Sequence, residues 1–414
     1  MRILIYSANF APEPTGIGKY SGDMARWLAD RGHEVRVVAA PPYYPAWKID
    51  RKYAWPPFRR EQWRGVDVWR APLWVPQSPN GFTRIAHLLS FAVSSFPIML
   101  WQVFWRPELV LTVAPAFVCA PTALLTGRLC RAKAWLHLQD FEIDVAFGLG
   151  LLKGKLLRRI ILRMERWVLQ RFDTVSTISG RMVERLLTKG VARDRTRYFP
   201  NWVDISRAGQ VPAKDSYRKE LGIANDAVVA LFSGSLAGKQ GLMVIPIAAE
   251  LLKSNSNIVF LICGDGLMKL RLESAVAGVS NVHLLPLQPS ERLSELLATA
   301  DIHLLPQSPD AADLVLPSKL SGMLASGRPV IATCNPGTEI SEIVSQCGIV
   351  VAPQDGAALA LAISKLAGDT ALRLELGQRA RELAESNFER NAVLDTMFGS
   401  LERELPDVPN EVTV

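Results

Sequence analysis

Residues 1–40 read MRILIYSANFAPEPTGIGKYSGDMARWLADRGHEVRVVAA, and this stretch decides the fold. The runs Ile3–Ser7 and Glu34–Ala39 read as short strands. Between them, Gly16-Ile17-Gly18 opens an amphipathic helix. Strand, helix and strand in that order is the building unit of a parallel sheet, because parallel neighbours need a crossover connection.

The alternation continues along the chain. Strand-like runs recur at Val66–Ala71, Leu109–Ala114, Ala134–Leu138 and Thr174–Ile178. A second series follows residue 220, at Val228–Ser233, Ile258–Cys263, Val282–Leu285, Ile302–Leu305, Val330–Ala332 and Ile349–Ala352. Helical patterns follow most of them. The expected architecture is α/β, two Rossmann-like doubly wound domains in tandem, facing a cleft. The joint falls between Asn201 and Tyr217, where QVPAKD is polar and carries a proline. The expected domains are 1–205 and 206–386. The Pro41–Pro79 stretch, rich in Pro, Trp and Tyr, reads as a long functional loop.

Composition sharpens this division. The chain has 414 residues, enough for two or three domains, and its 21% charged content excludes wholesale disorder. Residues 1–200 carry 30 Lys and Arg against 15 Asp and Glu, while residues 201–414 carry 17 against 25. All eleven Trp lie between Trp27 and Trp202. The acidic second half speaks against a nucleic-acid-binding protein that is basic throughout. The basic first half should be drawn to an anionic membrane surface, through a salt-sensitive peripheral attraction.

The five cysteines, Cys119, Cys130, Cys263, Cys334 and Cys347, form no CxxC pair and are odd in number. They read as small buried hydrophobes in a reducing compartment, not as a disulfide or zinc framework. The start MRILIYSANF has no cleavage-site pattern and reads as a first strand, so a cytoplasmic location is expected. From Ile85 to Trp105 no Lys, Arg, Asp or Glu occurs. Three readings are open: a helix packed in the first domain, a helix touching the membrane interface, or a span. The strand-like ELVLTV that follows at once disfavours the span.

Five motifs lie where strands end. In the first, Gly16 and Gly18 open a helix whose N–H groups suit an anion. The long preceding loop and a second strand lacking a terminal acid oppose a dinucleotide fold, leaving a ligand-facing loop or a structural turn. In WLHLQDFEIDVAFGLG, His137, Asp140, Glu142 and Asp144 cluster past a strand. His137 either orients a substrate or is a satisfied structural histidine. In LFSGSLAGKQGL, a Gly-rich turn at Gly234 precedes Lys239; it lacks the Walker ending yet suits a diphosphate. Gly264-Asp265-Gly266 follows another strand. Finally, in LPSKLSGMLASGRPVIA, Ser318 and Lys319 form an anion-friendly helix start.

In this order, GHEVRVV, KQGL, CGDG and PSKL…ASGRPVIA resemble the retaining glycosyltransferases of family 4, with the GT-B fold. The resemblance covers almost the whole chain. Residues 15–47 with FAVSSF and VLPSKL look like the enzymes of colanic acid and related exopolysaccharide synthesis. It implies transfer of a sugar, with fucose from GDP-fucose favoured, onto a polyprenyl-linked saccharide acceptor at the inner face of the cytoplasmic membrane. No cofactor or metal is implied.

By matching position, the resemblance makes His137 and Lys239 the catalytic pair. Gly16, Gly18, Gly234, Lys239, Gly264, Gly266, Asp313, Ser318 and Lys319 would hold the donor. Tyr43, Tyr44 and Asp140 would lie on the acceptor side. It also places a last helix, 387–405, back on the first domain. Two features depart from the family. Ser235 stands in the turn where an arginine is usual, and the paired glutamates are absent, the second falling at Gly322 and the first near Leu314 beside Asp313. Ribose recognition, and with it donor identity, is therefore open. The rival readings are a nucleotide-sugar epimerase of the same architecture and a non-catalytic nucleotide-sugar-binding protein.

Overall fold

A computed structural model of the chain describes residues 1–77, 81–114, 117–148, 154–206, 215–309 and 316–404. The chain divides into two compact units, Met1–Phe199 and Pro200–Val414, against an expected boundary at 205–206.

The first unit contains β1 (Arg2–Ser7), α1 (Gly16–Asp30), β2 (Glu34–Ala39), β3 (Arg59–Trp63), β4 (Val66–Arg70), α2 (Gly81–Trp101) and β5 (Leu109–Ala114). Then come α3 (Ala120–Cys130), β6 (Lys133–Leu138), α4 (Glu142–Gly148), α5 (Lys155–Leu169), β7 (Thr174–Thr177), α6 (Gly180–Thr188) and β8 (Thr196–Tyr198). The sheet order is β3-β4-β2-β1-β5-β6-β7-β8. β1 pairs in parallel with both β2 and β5, Ile3 facing Val35 on one side and Leu109 on the other. The chain thus winds outward from β1 in both directions. The crevice at the β1/β5 switch lies beyond the carboxyl ends of those strands.

The predicted strands are present to within about a residue at each end, the ordinary margin of strand limits. Two strands were not foreseen. β3 reads RREQW, without apolar alternation, and pairs antiparallel with β4 at the sheet edge. Its charged residues suit an edge strand. The Pro41–Pro79 stretch is therefore not one long loop: Arg64 and Gly65, both with positive φ, turn a hairpin inside it. β8 is only three residues long.

α2, α3, α5 and α6 cover one face of this sheet. Phe91, Ala123, Leu169 and Met182 join Leu4, Val110 and Leu136 in a single core. α1 buries Met24, Trp27 and Leu28.

The second unit holds α7 (Asp215–Leu221), β9 (Val228–Ser233), α8 (Val244–Leu251), β10 (Ile258–Cys263), α9 (Lys269–Ala275), β11 (Val282–Leu285) and α10 (Leu293–Thr299). It continues through β12 (Ile302–Pro306), α11 (Lys319–Ala325), β13 (Val330–Thr333), α12 (Glu339–Val344) and β14 (Gly348–Val351). Helices α13 (Gly356–Gly368), α14 (Thr370–Asn387) and α15 (Arg390–Glu404) close it. Its all-parallel order, β11-β10-β9-β12-β13-β14, switches between β9 and β12. The last helix, α15, groups with this unit. The segment after Phe199 is tied to the start of α15: Val203 N–H donates to Phe388 O at 2.8 Å, and Arg390 pairs with Asp204 at 3.1 Å.

Four of the five cysteines are buried, Cys130 is half-buried, and none of the five is in a disulfide.

Candidate active site

At the β1/β5 switch of the first unit, the loop after β1 folds around one carboxylate. Glu13 is buried, and its Oε1 accepts from Tyr43 N at 3.2 Å and Tyr44 N at 3.1 Å. Asn9 Nδ2 donates to Glu13 Oε2 at 3.0 Å, and Tyr43 Oη donates to Asn9 Oδ1 at 3.3 Å. Burial raises the Glu13 pKa, while the Tyr44 N–H, Asn9 and Tyr43 N–H bonds oppose that rise. Fully buried Arg70 clamps the same region. It donates to Ala11 O at 2.6 Å and Ala40 O at 2.9 Å, and pairs with Glu61 at 2.8 Å.

This explains both predicted glycines. Gly18 leaves the space that Glu13 occupies; Gly16, at φ +64°, lies against the Tyr44 ring. Tyr43 is buried, its ring edge-on to His87 at 4.8 Å, whereas Tyr44 is exposed. Asp140 is near enough to raise the Tyr44 pKa, though burial is the larger cause. Tyr43 and Tyr44 thus come together with Gly16 and Gly18, and Asp140 lies nearby. Glu13 was missed because a single glutamate in a proline-rich loop carries no periodicity or spacing.

His137 stands at the end of β6 and is 3% exposed. Gln139 Nε2 lies 2.8 Å from its Nε2, and Ser176 Oγ lies 2.9 Å from its Nδ1. With the Gln139 amide donating, Nε2 is the acceptor and Nδ1–H donates to Ser176. Trp135 Nε1 also donates to that hydroxyl, at 2.7 Å. Burial pulls the His137 pKa down to about 3. The ring is therefore a neutral, fixed dipole at ordinary pH. Both ring nitrogens are engaged by Ser176 and Gln139, and the ring does not store a proton.

In the second unit, two glycine turns meet at the head of the sheet. A Cβ on Gly264 would strike Gly234 O at 2.0 Å, and one on Gly266 would meet Leu236 O at 2.6 Å. The turns are bonded as well, Leu236 N–H donating to Asp265 O at 2.8 Å. Gly241, at φ +61°, packs on the Gln307 backbone at the end of β12. The β9 and β12 ends thus form one surface at the switch.

Lys319 reaches this surface from the start of α11. Its Nζ lies 4.1 Å from the Phe232 ring centre and donates to Gln240 Oε1 at 2.9 Å. Gly234, at φ +144°, packs beside its aliphatic stem. Burial pulls its pKa down to about 7. Among the described residues no carboxylate pairs with it. A cation held in a low-dielectric site at a switch point is well placed for an anion.

Ser318 is the exposed N-cap residue of α11, and its side chain makes no capping bond. Lys239 contributes its backbone to the short turn Gly238–Gln240. Its side chain, and the whole of Asp313, lie outside the described residues. Sequence reasoning passed over Gln240, which orients Lys319; nothing in the turn marks it. Among the described residues, no cluster of three or more His, Cys, Asp or Glu is arranged to hold a metal ion.

Residues 15–202 match the family described as "Glycosyl transferase 4-like domain". Residues 227–369 match "Glycosyl transferases group 1". The chain is 39% identical over 404 residues to the putative colanic acid biosynthesis glycosyl transferase WcaI of Escherichia coli K12, covering 95% of this chain and 98% of that one. Among solved structures, sucrose-phosphate synthase from Thermosynechococcus elongatus superposes with a TM-score of 0.71 at 18% identity, over 97% and 98% of the two chains. Anabaena Alr3699/HepE, crystallised with UDP-glucose, gives 0.69 at 17% identity, over 97% and 100%. Both likenesses support the fold alone.

Proposed function

The chain belongs to the glycosyltransferase family of the colanic-acid type, with the GT-B fold, and from that premise we propose a specific reaction. It transfers a sugar from a nucleoside diphosphate donor to a lipid-linked saccharide during synthesis of a colanic-acid-like exopolysaccharide. The anomeric configuration is retained, and no metal takes part. GDP-fucose is the donor that the sequence resemblance favours. The enzyme works in the cytoplasm, peripherally attached to the inner face of the membrane.

The observation that carries the donor half is Lys319. Its ammonium, held against Phe232 and Gln240 beside Gly234, supplies positive charge where a leaving diphosphate gathers negative charge. Lys239, in the Gly238–Gln240 turn, is assigned to the same ligand by the resemblance. In the first unit, the resemblance assigns His137 to the transferred sugar, and its ring is held neutral and fixed by Ser176 and Gln139. The Tyr43–Tyr44 loop, pinned by Glu13, lines the acceptor side.

The test is incubation with a panel of GDP-, UDP- and dTDP-sugars and a polyprenyl-diphosphate-linked acceptor. Acceptor-dependent nucleoside diphosphate release with one donor, and an unchanged anomeric configuration by NMR, is the expected result. Release that stops on adding a chelator overturns the metal-free step. Interconversion of a lone nucleotide sugar without acceptor would favour an epimerase.

A further inference from the structure

Helix α5 carries apolar side chains on the wrong side for a soluble protein. Val168 and Leu169 face the core, as expected of a surface helix. Yet Leu156, Ile160, Met164 and Trp167 are also exposed, Leu156 at 69% and Met164 at 62%. At the helical repeat these four fall within an arc of about 80°, roughly opposite the buried face. Arg159, Arg163 and Arg166 flank that stripe along one edge. The single acid of α5, Glu165, turns inward and pairs with Lys189 Nζ at 2.6 Å, so it adds no negative charge to the outer face.

The neighbouring helices continue the surface. α2, α3 and α5 bury residues in one core on one face of the sheet, so their outer faces look the same way. α3 exposes Leu125 and Leu129. α2 exposes Val93 at 74%, and the turn after it exposes Phe104 at 80%. Across the three helices the sequence holds seven Lys and Arg, and Glu165 is the one acid. α2 itself lies along the unit: His87, Phe91, Ser95 and Met99 are buried, and Ser95 is bonded to Tyr6 of β1 at 2.5 Å. Crossing a bilayer would require that core to open.

We propose that the outer face of the α2–α3–α5 layer docks on an anionic bilayer. α5 lies in the interface as a partly inserted amphipathic helix. Its apolar stripe enters the boundary of the acyl region, and the arginines reach lipid phosphates at head-group level. Charge complementarity selects the occupant, because a purely apolar partner needs no arginine edge and a cationic one is repelled. The inference deepens the peripheral-membrane reading above by naming the element and face that bind; docking itself needs neither donor nor acceptor.

The experiment is flotation of the full-length protein with phosphatidylethanolamine vesicles, with and without phosphatidylglycerol. Wild type is expected to float with the anionic vesicles only. The variant Leu156→Ser/Ile160→Ser/Met164→Ser should partition about a hundredfold more weakly. The variant Arg159→Gln/Arg163→Gln/Arg166→Gln should lose about as much, together with most of the salt dependence. All changed residues are exposed; an unchanged circular dichroism spectrum confirms folding.

Wild-type binding that the α5 variants leave intact, but that Val93→Ser/Phe104→Ser abolishes, keeps the membrane reading and overturns the role of α5. No wild-type binding overturns both. No binding together with a dimer that the α5 serine variant dissociates, seen by sedimentation, identifies a second copy as the occupant instead.

Discussion

Glu13 and Gly18 are two halves of one contact: a Cβ at Gly18 would lie 2.3 Å from Glu13 Oε2 and 2.6 Å from Glu13 Cβ. The glycine that looks like a nucleotide fingerprint is there to admit a carboxylate that holds the Tyr43–Tyr44 loop. Gly18→Ala should therefore cost about 1–3 kcal/mol by overpacking. Glu13→Ala should cost about as much, by leaving two backbone N–H groups without an acceptor. The double variant should cost less than the sum, because the same contact is lost twice. Urea denaturation followed by tryptophan fluorescence measures this in the first unit, which holds every Trp but Trp202. Strict additivity would show that the two residues act separately.

Lys319 predicts a pH dependence. Its pKa in the folded chain is about 7, so its charge is lost as pH rises through that value. Nucleoside diphosphate affinity should fall over the same range, by titration calorimetry. Lys319→Arg keeps its charge and should flatten the curve. Stability runs the other way. The unfolded lysine binds its proton more tightly, so folding stability should rise from about pH 7 toward the ordinary lysine range. Lys319→Met should remove that rise.

By the resemblance, Gly322 falls at the position of the family's second glutamate, which would hold the ribose. An added Cβ there would meet only Leu297 Cδ1, at 3.6 Å, an ordinary contact. Gly322→Glu should fold, and should stabilise α11 by about 0.5 kcal/mol from helix propensity. It should tighten GDP and UDP binding more than dTDP binding, since only the ribonucleotides carry a 2′-hydroxyl. Equal changes for all three would exclude a ribose role for this position.

His137 should contribute no acid limb near neutrality, because burial keeps it unprotonated down to about pH 3. His137→Asn should lower turnover by about tenfold or more while leaving the shape of the pH–rate profile unchanged. A limb near the ordinary histidine pKa that vanishes in the variant would contradict the buried, neutral assignment.

The strand–helix alternation was legible because period and length are local properties. Fully buried strands such as Leu109–Ala114 read as apolar runs, and the glycine turns after β9 and β10 read as breaks. The tandem α/β architecture and the family followed from those signals in order. β3 was illegible, because an edge strand of charged residues has no pattern of its own and exists only by pairing with β4.

Local sequence likewise pointed to Gly18, Gly264 and Lys319, but the reasons for them are contacts between distant segments. Gly18 answers Glu13, Gly264 answers Gly234, and Lys319 answers Phe232 and Gln240 from 79 or more positions away. The same holds for exposure. The sequence determined that α5 is apolar and basic at helical spacing. Only the tertiary structure decided that Val168 and Leu169 face inward and the Leu156–Met164 stripe faces out, because which side of a helix meets a sheet is fixed by packing and not by the helix itself.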